Sequence, residues 1–153
     1  MSKIWVNVEG AINKDGKWLM VKRSEKEEHA SGTIAMVGGT LEVKENGQDA
    51  LEETLKREVM EEVGIEIEND MKYVESKTFT SDSSQEVLDI VFLCKYKSGE
   101  AKIKSDEVAE VFWLTTEEIM THSNTPLWIK QSIEMADRLL NRDKVSLSEI
   151  KKS

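Results

Sequence analysis

The chain has 153 residues and a formal net charge of −9. That length suits one domain with a real core. No run of Lys and Arg forms a basic stripe that would point to nucleic acid, and no apolar run reaches about 18 residues, so no membrane span is expected. The start, MSKIWVNVEG, lacks the apolar stretch of a secretory signal. The single Cys94 cannot form an internal disulfide, and a reducing, cytoplasmic setting is the expectation.

In chain order, Ile4, Val6 and Val8 alternate and predict a strand from Lys3 to Ile12. Asn13-Lys14-Asp15-Gly16 predicts a hairpin turn, and Lys17 to Arg23 the returning strand. Ser24 to Ser31 is polar and predicts a loop holding His29, either a solvated histidine or a contact for a phosphate. Thr33 to Val37 predicts a short strand that delivers Gly38-Gly39. Glycine at that point lets backbone approach a ligand closely.

The run from about Asp49 to Val63 contains no Gly or Pro and is rich in Glu, Leu and Lys, which predicts a helix. Asp49 is the candidate N-cap and Gly64 the stop. At roughly 100° per residue, Leu51, Leu55 and Val59 share a stripe with Glu58 and Glu62, and Glu61 falls at its edge. Carboxylates crowded at these spacings repel one another, and burying them unpaired is costly. A divalent cation relieves both problems, and all-oxygen ligands favour a hard ion, Mg²⁺ or Mn²⁺ among them. The alternative is a solvated Glu-rich helix.

After the helix, Ile65-Glu66-Ile67, Lys72 to Ser81, and Val87 to Tyr96 predict strands, the last and most apolar being central. Cys94 is expected there as a buried thiol. Lys97 to Glu100 predicts a turn, Glu110 to Leu114 a strand, and Thr115 the cap of a short helix. Pro126 suits the first turn of a last helix with Ile129, Ile133, Ala136 and Leu140 on its apolar stripe. Trp128 is expected at the rim of that stripe. Residues 1–142 then form one domain and 143–153 a polar tail.

The segment Arg57-Glu58-Val59-Met60-Glu61-Glu62-Val63-Gly64-Ile65, preceded by Gly38-Gly39, resembles the Nudix box, G-x5-E-x7-R-E-U-x-E-E-x-G-U with U aliphatic. Two departures stand beside the match. The first half is about four residues longer than the family spacing, so its acidic residue is Glu45 counted forward or Asp49 counted back. Val37 replaces a proline common in the family. The resemblance implies the Nudix fold, an α/β (α+β) arrangement with a mixed β-sheet sandwiched between α-helices. It implies hydrolysis of a diphosphate linkage in a nucleoside diphosphate derivative: a nucleoside triphosphate, oxidised ones included, or a nucleotide sugar. It implies Mg²⁺, with Mn²⁺ as substitute, held by Glu58, Glu61, Glu62 and the carbonyl of Gly38. Family enzymes often carry another glutamate in a later loop as ligand or base, which points to Glu107 first and Glu110 second. Glu61 and Glu107 are the candidate general bases. Arg57, about 100° from Glu58 on the wheel, is expected to orient a glutamate by bidentate pairing. The implied partner is a small nucleotide-type molecule, and the family's frequent dimers make a homodimer an expectation. A binding sensor that has lost hydrolysis and an RNA 5′-pyrophosphohydrolase are the alternatives.

Overall fold

β1 (Ile4–Lys14) and β2 (Lys17–Arg23) pair antiparallel around Asp15 and Gly16. Both turn residues have positive φ, 52° and 83°, the conformation a two-residue hairpin requires. The computed structural model describes residues 3–25, 32–43 and 47–152. The loop residue His29 and the alternative box acid Glu45 lie outside them.

Two short strands follow, β3 (Ile34–Ala35) and β4 (Val37–Thr40). The sequence predicts one strand here. The chain instead pairs Ile34 and Ala35 with β2, then leaves at Met36 to pair Val37–Thr40 with β1. Next come α1 (Ala50–Val63), β5 (Glu66–Ile67), β6 (Lys72–Thr80), β7 (Glu86–Ser98), β8 (Val108–Leu114), α2 (Thr116–Thr121) and α3 (Leu127–Lys152). β7 is central, parallel to β1 on one edge and antiparallel to β6 and β5 on the other. β8 lies antiparallel on β2. β7 also runs into the expected turn, and the reversal falls at Gly99, whose φ is 98°.

Alternation along the strands gives the sheet two apolar faces. Leu19 and Val21 of β2 join Val8, Ile12 and Cys94 on the face covered by Leu55, Val59 and Val63 of α1. Trp18 and Met20 join Ala11, Val91 and Leu93 on the face covered by Ile119 of α2 and Ile129, Ile133 and Ala136 of α3. Each fully buried aliphatic side chain contributes about 1.5–3 kcal/mol. The result is the expected mixed sheet between helices. The Cys94 thiol is fully buried, and burial pushes its pKa up to about 12.

The helix ends show which local readings hold. Gly64 stops α1 in a left-handed conformation, φ 72°, and its N–H donates to Met60 O. Thr115 caps α2 in a full capping box with Glu118, at 3.1 and 3.0 Å. Asp49 stands at the N-cap of α1, but its side chain makes no cap hydrogen bond. Its backbone is left-handed, φ 51°, whereas a capping side chain reaches the first free N–H groups from an extended backbone. Pro126 sits one residue before α3, its carbonyl accepting from Ile129 and Lys130 at 3.1 Å. α3 continues through the segment read as a polar tail, to Lys152.

Candidate active site

A cleft of about 920 Å³ opens between the sheet, the C-terminal half of α1 and the start of α3. Glu58 and Glu62 enter it from α1, Gly38 and Gly39 from β4, and Glu107 from the loop before β8. The apolar stripe of α1 makes this possible. Val59 and Val63 pin the helix against the sheet, and the same face carries Glu62 in at 9% exposure. The side chain of Glu58 is 17% exposed.

Glycine at positions 38 and 39 is a packing requirement. A Cβ on Gly39 would stand 2.4 Å from Cδ of Glu58, and one on Gly38 would stand 2.1 Å from the Val8 carbonyl oxygen. Strand β4 therefore lies directly against both β1 and the Glu58 carboxyl.

Glu107 is held by its loop. The N–H groups of Lys102 and Lys104 donate to the carbonyls of Val63 and Glu62, at 3.0 and 2.9 Å. These are free carbonyls at the end of α1, which need outside donors. The N–H of Ser24 donates to Glu107 O at 2.9 Å, tying the same loop to the end of β2. Glu107 and Glu62 then share a side-chain hydrogen bond.

The electrostatics reflect the crowding. Burial, the bond to Glu107 and the charges of Glu58 and Glu107 push Glu62 up to about 8, opposed by Arg23. Burial also raises Glu58, held back by Arg57 and reinforced by Glu61 and Glu107. Among the described residues no three such side chains are already closed into a coordination cage. The donor set fits a hard divalent ion: oxygens only, mutually repelling, and brought together at the end of one helix.

Glu61 stands apart. Its side chain is 57% exposed and lies outside the lining of the cleft. Arg57 Nη1 reaches both Glu61 oxygens, at 3.4 and 3.3 Å, and Glu58 Oε1 at 3.3 Å. The expected fork on one glutamate is thus replaced by one nitrogen bridging two. The long arginine stem closes the angular gap that the helical wheel put between Arg57 and Glu58. Nη2 is buried without a hydrogen bond, with Glu42 Oε2 3.9 Å away. Glu110 lies on β8, 4.0 Å from Lys22 and away from the cleft. Asp49 is exposed and does not line it either.

Sequence reading missed the far end of the cleft. Glu9 of β1, Lys77 and Phe79 of β6, and Asp89 of β7 line it beside Trp5 and Trp128. Burial and the facing Asp89 carboxyl raise Glu9 well above the usual range. Burial raises Asp89 too, against the pull of Glu9 and Lys77. The available signal was an acid inside the most apolar run of the chain, Val87-Leu88-Asp89-Ile90-Val91.

This arrangement sets carboxylates on a helix end facing a glycine pair across a cleft in a mixed sandwich, the layout expected of the Nudix fold. The comparisons agree with it. A sequence model of the NUDIX domain matches residues 5–136. The NAD-capped RNA hydrolase NudC of Escherichia coli is 34% identical over 103 residues, covering 67% of this chain and 36% of that protein. The chain therefore spans about a third of the length of the curated relatives it matches. The MutT NUDIX hydrolase of Burkholderia pseudomallei superposes with a TM-score of 0.74 at 21% identity, over 88% of this chain and 98% of that one. The MutT protein of Methanosarcina mazei Go1 gives 0.72 at 26%, over 90% and 95%. The chain belongs to the NUDIX family.

Proposed function

We propose that this protein hydrolyses a diphosphate linkage in a nucleoside diphosphate derivative with Mg²⁺, or Mn²⁺ in its place. The observation that carries this reading is the convergence of Glu58, Glu62 and Glu107 opposite Gly38-Gly39 in one cleft. Glu58, Glu62 and the Gly38 carbonyl would hold the cation, with Glu61 joining if its pair with Arg57 opens. The cation would neutralise the diphosphate and acidify the attacking water. Glu107 is the favoured general base, because it is in the cleft and its carboxyl already exchanges a hydrogen bond with Glu62. Glu61 is the other candidate. Arg57 positions Glu58 and Glu61 and takes no proton, since guanidinium stays charged. Nucleoside triphosphates, including oxidised ones, and nucleotide sugars are the substrate classes.

A second reading draws on the NudC relatives, whose name specifies NAD-capped RNA. It makes a dinucleotide or a capped RNA end the substrate. The acidic balance of the chain, −9, weighs against a long RNA contact.

The test is product release from nucleoside triphosphates, nucleotide sugars, NAD and NAD-capped RNA, each with Mg²⁺, Mn²⁺ or EDTA. Turnover of one class, abolished by EDTA and lowered at least about 10²-fold in Glu62→Gln, is expected. Turnover unchanged by EDTA or by that variant refutes the site. Binding without turnover across the panel would make the protein a sensor.

A further inference from the structure

Arg57 carries a lopsided load. Its Nη1 serves three oxygens at once, both of Glu61 at 3.4 and 3.3 Å and one of Glu58 at 3.3 Å. Charge-assisted bonds of this kind settle nearer about 2.7–2.9 Å, so each of the three is stretched. Nη2, with hydrogens of its own to donate, is buried and makes no hydrogen bond. A guanidinium favours the opposite arrangement, two nitrogens forked on one carboxylate. A further acid stands within reach of the idle nitrogen. Glu42 Oε2 is 3.9 Å from Nη2, and the Glu42 side chain is 67% exposed. The chain is fixed just before it, where the N–H of Leu41 donates to Val6 O at 2.7 Å. The Glu42 side chain alone therefore has to move, by about 1 Å, to bring the gap to hydrogen-bond length.

The cation site read in the cleft gives this imbalance a use. Glu58 and Glu62 already line the cleft, whereas Glu61 stands outside it, held on Arg57. Glu61 becomes a ligand only by leaving the guanidinium. That departure strips one cation of its countercharge beside a second, divalent one, which is unfavourable. A replacement carboxylate on Nη2 offsets the loss and leaves Nη1 to Glu58. We propose that Glu42 is a positioning residue that takes over Arg57 as Glu61 turns to the metal, so that three carboxylates of α1 reach one ion. In this role Glu42 acts through Arg57 and is not itself a ligand. The inference rests on the metal-dependent reading above and assigns a residue at an unspecified position of the box.

The test is a double-mutant cycle on the full chain without substrate. Affinity for Mg²⁺ is read by calorimetry, and affinity for Mn²⁺ by the paramagnetic resonance signal of the free ion. Glu42→Gln is expected to weaken both by about fivefold, with Tm in EDTA unchanged within about 2 °C. In a Glu61→Gln background the same change is expected to weaken binding by less than about twofold, because Arg57 no longer has a partner to give up. A fivefold loss in both backgrounds overturns the proposal, since Glu42 then acts only as one more negative charge near the cleft. Unchanged affinity on Glu42→Gln in the native background overturns it as well. So does a Tm in EDTA lowered as far as the Tm in Mg²⁺, which makes the contact with Arg57 structural. Coupled metal binding without hydrolysis of any nucleotide would refute the hydrolase reading alone. Hydrolysis that EDTA abolishes, with Glu42 and Glu61 uncoupled, would refute this proposal alone.

Discussion

Replacing each glycine of the pair by alanine should separate catalysis from stability. At Gly39 the added methyl would lie 2.4 Å from Cδ, 2.7 Å from Cγ and 2.7 Å from Oε1 of Glu58. All three are the far end of a flexible side chain, so the glutamate moves and the backbone stays. Relieving the overlap takes a displacement of about 1 Å, enough to cost about 10²-fold in rate where reacting groups must be held in place. The fold should lose less than about 1 kcal/mol. At Gly38 the methyl would lie 2.1 Å from Val8 O and 2.8 Å from Cα of Glu9. Those are backbone atoms of β1, paired to β7 on their other edge, and they cannot step aside. Overpacking of that kind costs about 1–3 kcal/mol or more. In a domain of this size that lowers Tm by roughly 3–10 °C. Initial rates at saturating Mg²⁺ and thermal unfolding by circular dichroism measure the two effects. A Gly39→Ala protein with native kcat, or a Gly38→Ala protein with native Tm, would show that the close approach of β4 is incidental.

Metal-free stability should fall as pH rises from about 4.5 through 8. Glu62 is raised to about 8, so over that window the folded protein holds a proton that the unfolded chain has released. Glu58, Glu9 and Asp89 shift in the same direction, and Glu62→Gln should flatten the slope of Tm against pH; an unaltered slope would contradict the assignment. Glu107→Gln should lower kcat by about 10²-fold or more, whereas Glu110→Gln, paired with Lys22 outside the cleft, should stay within about twofold. Equal losses in steady-state assays of the two would remove Glu107 from its role as base.

Much of the sandwich was legible because strand alternation and the α1 stripe are local signals. The box helix, its glycine stop and the capping box of α2 all follow from residues within one turn of each other. The switch of partners at Met36 was not legible, because it depends on where β1 and β2 separate. The same holds for Arg57. Its reach to Glu58 depends on side-chain conformation, which a helical wheel ignores. Glu9 and Asp89 come from strands far apart in sequence and meet only through the parallel β1–β7 register, Glu9 opposite Val91 and Asn7 opposite Asp89. In the chain they read as isolated polar interruptions. The order of Glu107 before Glu110 was read from the chain; what holds Glu107 at the cleft, the two hydrogen bonds from its loop to the end of α1, was not.

That parallel register also governs how the molecule can be assembled. Ile4 pairs with Glu86 and Asn13 with Lys95, so β1 cannot close its main edge until β7 has left the ribosome. Neither hydrophobic face is complete before then, because β1 and β7 contribute to both. Long-range parallel pairing of this kind is slow to form. In the interval the β1–β2 hairpin presents an unpaired apolar edge, the part of the nascent chain most exposed to aggregation. Folding should therefore be cooperative and late, gated by one pairing rather than built up strand by strand.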